Sequence, residues 1–139
     1  MLEIIAEVKV PKGIRPRLRR VLAALCKQHG VSSLVCVILS NDARLRALKL
    51  EFWGEDTTTD VLTFPQWEPG DSFMPPVLGD IFISLETAQK QAQDHKHDLE
   101  TEVIVLAAHG FAHLLGFDHR TTKEWQPFLE LQALAKTIR

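Results

Sequence analysis

The pattern of apolar positions predicts four β-strands. Branched apolar side chains dominate four short segments, which cover residues 2–10, 33–40, 60–64 and 78–84, and such runs are typical of strands when turn residues bound them. The segment 33–40 is apolar almost throughout, which indicates a central strand covered on both faces.

Other segments carry apolar residues at every third or fourth position, which predicts helices. The first helix should begin near Ile14 and stop at Gly30, with Arg15, Arg19 and Arg20 turned to solvent. Asn41 or Asp42 is expected to cap the second helix, and Asp98 the fourth. The remaining helices are predicted over residues 86–97, from 99 to about 115, and after a Thr121–Glu124 capping box.

These elements follow one another in the order β-α-β-α-β-β-α-α-α, without an internal repeat or a linker. That order predicts a single α+β domain over residues 1–139, with a roughly four-stranded mixed sheet packed by helices. At 139 residues the chain is long enough to bury one core without disulfide support.

The composition indicates a soluble protein of a reducing compartment, the cytoplasm. The chain has two cysteines, Cys26 and Cys36, no signal peptide pattern and no apolar run near 18 residues. We therefore expect both cysteines to be ordinary buried residues, and we expect no membrane partner.

The net charge of −2 conceals an uneven distribution of charge along the chain. Residues 8–50 hold ten basic side chains and one acid, Asp42, whereas residues 51–139 hold fifteen acids and six bases. Clustered Lys and Arg favour a polyanionic partner, because they neutralise phosphates and release counterions. A solvated helix face explains the same charges, so charge alone leaves both interpretations open.

The segment HGFAHLLGFDH, residues 109–119, has the spacing of a metal site on a helix and the turn that follows it. His109 and His113 are four residues apart on a predicted helix, so both project from one face. Gly116 can end that helix in the left-handed conformation and return His119 towards the other two. Three neutral nitrogens with an open position are typical of catalytic zinc sites; the alternative is three unrelated histidines.

The same spacing occurs in metzincin proteases, but one position argues against a peptidase. Gly110 stands where the protease signature has the glutamate that acts as general base. The other histidines are expected to lie outside the site. His95 and His97 are two apart on a predicted helix and should point in different directions into solvent, and Glu102 is expected to be structural.

Two further segments, TDVLTFP (residues 59–65) and LGDIFIS (residues 78–84), complete a family pattern. Together with the histidine motif they make the chain resemble the YbeY family of endoribonucleases. The resemblance implies a metal-dependent nuclease that cuts single-stranded RNA in ribosomal RNA maturation and ribosome quality control, acting on ribosomal RNA or the small ribosomal subunit. It also implies one zinc ion per chain, with His109, His113 and His119 as its ligands.

One departure from the family pattern concerns phosphate recognition. The family usually has an arginine six residues before the first threonine of the TDVLTFP segment, and this chain has Trp53 there; Lys49 replaces a usual asparagine. An arginine clamps phosphate oxygens with two hydrogen bonds, which an indole cannot do. Arg46, Lys49 or Arg120 could substitute for it. Trp53 itself could either pack under the sheet or stack on an unpaired base.

A zinc ion bound by three histidines would lower the pKa of its bound water to about 7 and polarise a phosphoryl oxygen of the substrate. Asp118, Asp60 and Asp80 are the candidate bases, although each is also suited to orient a ligand or form a turn. The alternative function is a ribosome-assembly factor that binds RNA or a ribosomal protein and has lost most catalysis. We assign catalysis to His113, Asp118 and Arg120, and RNA contacts to Arg15, Arg19, Arg46, Lys49 and Trp53.

Overall fold

A four-stranded mixed sheet lies at the centre of the molecule. The computed structural model describes residues 1–68, 71, 73–117 and 124–139. The strands lie in the order β1-β2-β4-β3; β2 is parallel to β1 and β4, and β3 is antiparallel to β4. Their bounds are Leu2–Ala6 (β1), Leu34–Ser40 (β2), Val61–Pro65 (β3) and Val77–Ser84 (β4). The central β2 is buried along nearly its whole length, as its continuous apolar run predicts.

The described helices complete the predicted order of elements and confirm an α+β domain. They are Ile14–Gln28 (α1), Asp42–Trp53 (α2), Leu85–Asp94 (α3), Leu99–Leu114 (α4) and Trp125–Thr137 (α5). None of the helices among these residues is both long and apolar enough to cross a membrane.

The helix ends explain most of these bounds. Side chains of Asn41 and Asp98 accept hydrogen bonds from the first turns of α2 and α4, as predicted. Gly116 has a φ of 96°. The backbone N–H groups of Gly116 and Phe117 donate to carbonyls of the last turn of α4, so the helix ends where the sequence predicts it.

Two predicted boundaries are wrong. β1 ends at Ala6 rather than residue 10, and α3 ends at Asp94 rather than His97. The second difference arises at Lys96, whose φ of 58° places it in the left-handed region. The N–H groups of Lys96 and His97 donate to the carbonyls of Gln93 and Ala92, which closes α3 with the hydrogen bonds that usually accompany a glycine.

The capping box predicted for the last helix lies partly outside the described residues, because Thr121 belongs to the segment 118–123. Glu124 occupies the N-cap position of α5 without a side-chain cap. Pro127 lies in the first turn of α5, where its missing N–H removes no helical hydrogen bond.

Helix α4 is the most buried helix and lies directly on the sheet. A Cβ atom added at Gly110 would approach the Ile81 Cγ2 to 2.7 Å and the Thr63 Cγ2 to 3.3 Å. The helix backbone is therefore in contact with strands β3 and β4. On the opposite face of the sheet, Leu45 and Leu48 of α2 form a smaller core with Leu62. This packing fixes the part of α4 that carries His109 and His113.

Candidate active site

His109 and His113 form one face of the second half of α4. Their Nε2 atoms lie 3.2 Å apart. Two nitrogens that bind one tetrahedral zinc ion at about 2.0–2.1 Å are separated by roughly 3.3 Å, so this pair fits a shared ion. His119, the third predicted ligand, lies outside the described residues, as do Asp118 and Arg120.

Helix α5 forms a wall against both imidazoles. The Phe128 ring, which is fully buried, lies with its centroid 4.8 Å from that of His109 and 4.9 Å from that of His113. The ring centroids of Trp125 and His109 are 5.9 Å apart, and the Gln132 amide nitrogen lies 3.4 Å from the His109 Nδ1 atom. The aromatic rings of α5 therefore pack against both imidazoles and limit their movement.

Sequence reasoning did not find these three α5 residues. A signal was present, because residues 125, 128 and 132 are spaced by three and four and share one helix face. Nothing in the sequence shows that this face packs on the histidines.

The two histidines open into a cavity of about 620 Å³ between the last turn of α2, strand β3 and helices α4 and α5. Lys49, Trp53, Asp60 and Trp125 are among the residues that line it. This cavity is called the cleft below. The structure thus brings Lys49 and Trp53, both predicted to contact RNA, to the same cavity as His109 and His113.

Trp53 is partly packed against the sheet and partly exposed, so stacking on an unpaired base stays a prediction. Its ring packs 5.4 Å from that of Phe64, yet 49% of the residue is exposed. The Lys49 Nζ atom lies 3.3 Å from the Glu55 Oε2 atom, and Glu55 also borders the cleft. An aromatic surface and a partly neutralised cation therefore lie beside the histidines.

The three arginines that were also predicted to contact RNA do not line the cleft. Arg46 makes two hydrogen bonds to the Asp56 carboxylate, at 2.7 and 3.1 Å. Arg15 and Arg19 lie on the exposed face of α1, where Arg19 donates to the Leu2 carbonyl. RNA binding by Arg15, Arg19 and Arg46 stays a prediction.

Of the two described candidate bases, Asp60 borders the cleft and Asp80 does not. The Asp60 carboxylate accepts hydrogen bonds from the Val61 N–H at 2.8 Å and the Gln91 amide at 3.1 Å. Asp80 lies beside Ile81, which faces α4, so by strand alternation it points to the other face of the sheet. Burial and the nearby Glu3 carboxylate raise the pKa of Asp80.

The expectation that His95 and His97 are simply solvated is wrong. The His95 Nδ1 and His97 Nε2 atoms lie 2.8 and 2.6 Å from the same oxygen, Oε1 of Glu102. The convergence is possible because α3 ends at Asp94, so neither histidine is helical. Their ligand atoms and that of Glu102 lie within 4.8 Å of one another, and the group could hold a metal ion.

The comparisons with known proteins agree with the pattern found in the sequence. The sequence model of the family described as Endoribonuclease YbeY matches residues 4–137. The chain belongs to the YbeY family. This confirms the family resemblance seen in the histidine motif and the two strand segments.

Individual relatives match almost the whole chain. The endoribonuclease YbeY of Thermus thermophilus is 56% identical over 133 residues, which are 95% of this chain and 96% of that protein. That of Deinococcus radiodurans is 49% identical over 149 aligned positions, covering 99% of this chain and 96% of that protein. A Thermotoga maritima protein solved in solution is similar at a TM-score of 0.70 and 26% identity, covering 99% of this chain and 90% of that protein.

Proposed function

We propose that this protein is a zinc-dependent endoribonuclease that cuts single-stranded RNA in the cytoplasm, in ribosomal RNA maturation and ribosome quality control. The observation that carries the proposal is the 3.2 Å separation of the His109 and His113 Nε2 atoms inside a cleft that also presents Lys49 and Trp53. Membership of the YbeY family supports the RNA substrate.

His109 and His113 would hold the ion, and His119 is the proposed third ligand. When bound, zinc acidifies a water molecule and polarises a phosphoryl oxygen, the two requirements of phosphodiester hydrolysis at neutral pH. The contact between Phe128 and both imidazoles holds the ligands in place without further reorganisation.

The cleft residues bind and orient the RNA. The exposed part of the Trp53 ring offers a stacking surface for an unpaired base, which a duplex cannot present. Lys49 can bind a phosphate of the RNA when that phosphate displaces the Glu55 carboxylate from the Lys49 ammonium group. Together they favour single-stranded RNA.

Asp60 is the described carboxylate best held for proton transfer at the cleft. Its two oxygens are oriented by the Val61 N–H and the Gln91 amide, so it can accept a proton without rearranging. Asp118 and Arg120 stay proposed catalytic residues.

A cleavage assay on an unstructured RNA oligonucleotide tests the proposal. His113→Ala should reduce cleavage by about 1000-fold or more, since a catalytic metal contributes several kcal/mol to transition-state stabilisation. His29→Ala is the matched control, because His29 lies at the end of α1 and does not line the cleft. Undiminished cleavage by His113→Ala would refute the proposal.

Trp53 favours a second function, a ribosome-assembly factor with weakened catalysis, because it replaces the family's arginine. Trp53→Arg separates the two. The nuclease proposal expects no gain in cleavage, because the substitution removes a stacking surface for a base, whereas a large gain would favour the assembly factor.

A further inference from the structure

A second side-chain cluster, formed by His95, His97 and Glu102, lies outside the His109 and His113 pair. The Glu102 side chain lies on the largely apolar helix α4 and is only 1% exposed. A buried carboxylate needs compensating partners. Two imidazoles approach one of its oxygens, at 2.8 and 2.6 Å.

The backbone brings these donors together from two elements. Lys96 adopts a left-handed conformation directly between the two histidines. Both rings therefore turn towards α4 and approach Glu102, with 5.6 Å between their centroids. Two imidazoles and one carboxylate, with room for water, are the ligand set of many zinc sites.

The cluster borders a cavity that adjoins the cleft. Glu102 and His95 border a second cavity, of about 380 Å³, which shares Asp60, His109 and Trp125 with the cleft. Glu102 lies seven residues before His109, hence about 10 Å away along the helix axis. That distance exceeds the roughly 4 Å of a two-metal catalytic pair, so the cluster is a separate site.

We propose that His95, His97 and Glu102 bind a second divalent transition-metal ion, of the zinc class, beside the second cavity. The histidines bind as neutral imidazoles, and water completes the coordination. Any proton that an imidazole holds at its ligating nitrogen is released to solvent when the ion binds. The ion connects the segment after α3 to α4, and this inference does not depend on the proposed function.

Metal stoichiometry of the full chain tests the site. The chain is stripped with a chelator, dialysed against Zn²⁺ alone and analysed by elemental analysis. The unmodified chain should hold two ions, and His109→Ala/His113→Ala should hold one. That double variant should also gain thermal stability when Zn²⁺ is added. Absence of both zinc and a stability gain in this variant would overturn the proposal.

Variants of the second cluster complete the test. His95→Ala should fold, because its side chain is 56% exposed, and should weaken zinc binding at this cluster by about 100-fold when made in the His109→Ala/His113→Ala background. His29→Ala in the same background should leave zinc affinity unchanged. Equal zinc affinity of the His95→Ala and His29→Ala proteins would show that the cluster is a hydrogen-bonded group without a metal.

Discussion

Gly110 is the residue that most clearly separates this site from a metalloprotease. A side chain at residue 110 could not act as a general base, because it would face the sheet and not the cleft. A glutamate there would have to displace Ile81 and Thr63. The glycine is therefore required by the packing of α4 on β4, whatever chemistry the histidines perform.

The close approach at Gly110 leads to a stability prediction. Gly110→Ala should destabilise the protein by about 1 kcal/mol, because overpacking against the Ile81 Cγ2 exceeds the gain in helix propensity. Urea unfolding measures the change.

Ile81→Leu provides the control for that experiment, since leucine has no Cγ2 branch on its Cβ atom. In the Ile81→Leu background, Gly110→Ala should cost less than in the native sequence, by roughly 1 kcal/mol of coupling. Additive effects of the two substitutions would show that this contact does not limit the helix.

At the scale of elements, local signals predicted the fold well. Helical spacing, the Asp98 cap and Gly116 fixed α4, and the i, i+4 spacing placed His109 beside His113. The predictions failed where distant segments meet. The contacts of Phe128 and Gln132 with the histidines depend on how α5 packs, and no pattern within α5 encodes that packing.

The end of α3 was mispredicted because its stop signal has no glycine. Lys96→Gly should stabilise the protein by about 0.5–1 kcal/mol, since glycine adopts a φ of 58° without the strain that a side chain adds. Equilibrium unfolding in urea measures it. Lys90→Gly, within α3, should instead destabilise by about 1 kcal/mol. A loss of stability in both variants would contradict the strain argument.

The cap of α4 predicts a pH-dependent contribution to stability. Hydrogen bonds from Thr101 lower the pKa of Asp98 below its ordinary value of 3.8. Because the folded pKa is the lower one, this stabilisation is complete above about pH 4 and is lost as the pH falls through the folded pKa.

Asp98→Ala should therefore lower the unfolding free energy of the metal-free protein by about 1 kcal/mol at pH 7, and by less at pH 2–3. Asp94→Ala serves as control, because Asp94 is exposed at the end of α3 and caps no helix start. A difference between Asp98→Ala and the native chain that stays constant down to pH 2 would show that the carboxylate charge is irrelevant.

At the scale of the whole molecule, folding partly cancels the charge asymmetry of the sequence. Arg17 pairs with Glu100 at 3.2 Å and Arg46 with Asp56 at 2.7 Å, so cations of the first third meet acids from later in the chain. The outer face of α1, with Arg15 and Arg19, keeps exposed positive charge. The cationic surface available to bind a polyanion is therefore smaller in the folded protein than the charges of residues 8–50 suggest.

Salt dependence measures what remains of that surface. Arg15→Ala/Arg19→Ala should reduce the slope of log Kd for single-stranded RNA against log salt concentration by about 1.4, or 0.7 for each phosphate contact. Lys90→Ala/Lys136→Ala removes the same charge from exposed positions on α3 and α5 and should leave the slope unchanged. Equal slopes for both double variants would remove α1 from the RNA interface.

The two buried cysteines give the molecule an internal reporter of opening. Burial, with the Asp80 and Glu3 carboxylates, raises the pKa of Cys36 to about 11, and burial raises that of Cys26. Thiolate is the reactive form, so alkylating reagents should modify neither cysteine until α1 or β2 separates from the core. The rates at which the two cysteines are labelled under native conditions would therefore measure how often α1 or β2 opens. Slower labelling in the presence of metal would show that metal binding at α4 also stabilises α1 or the sheet.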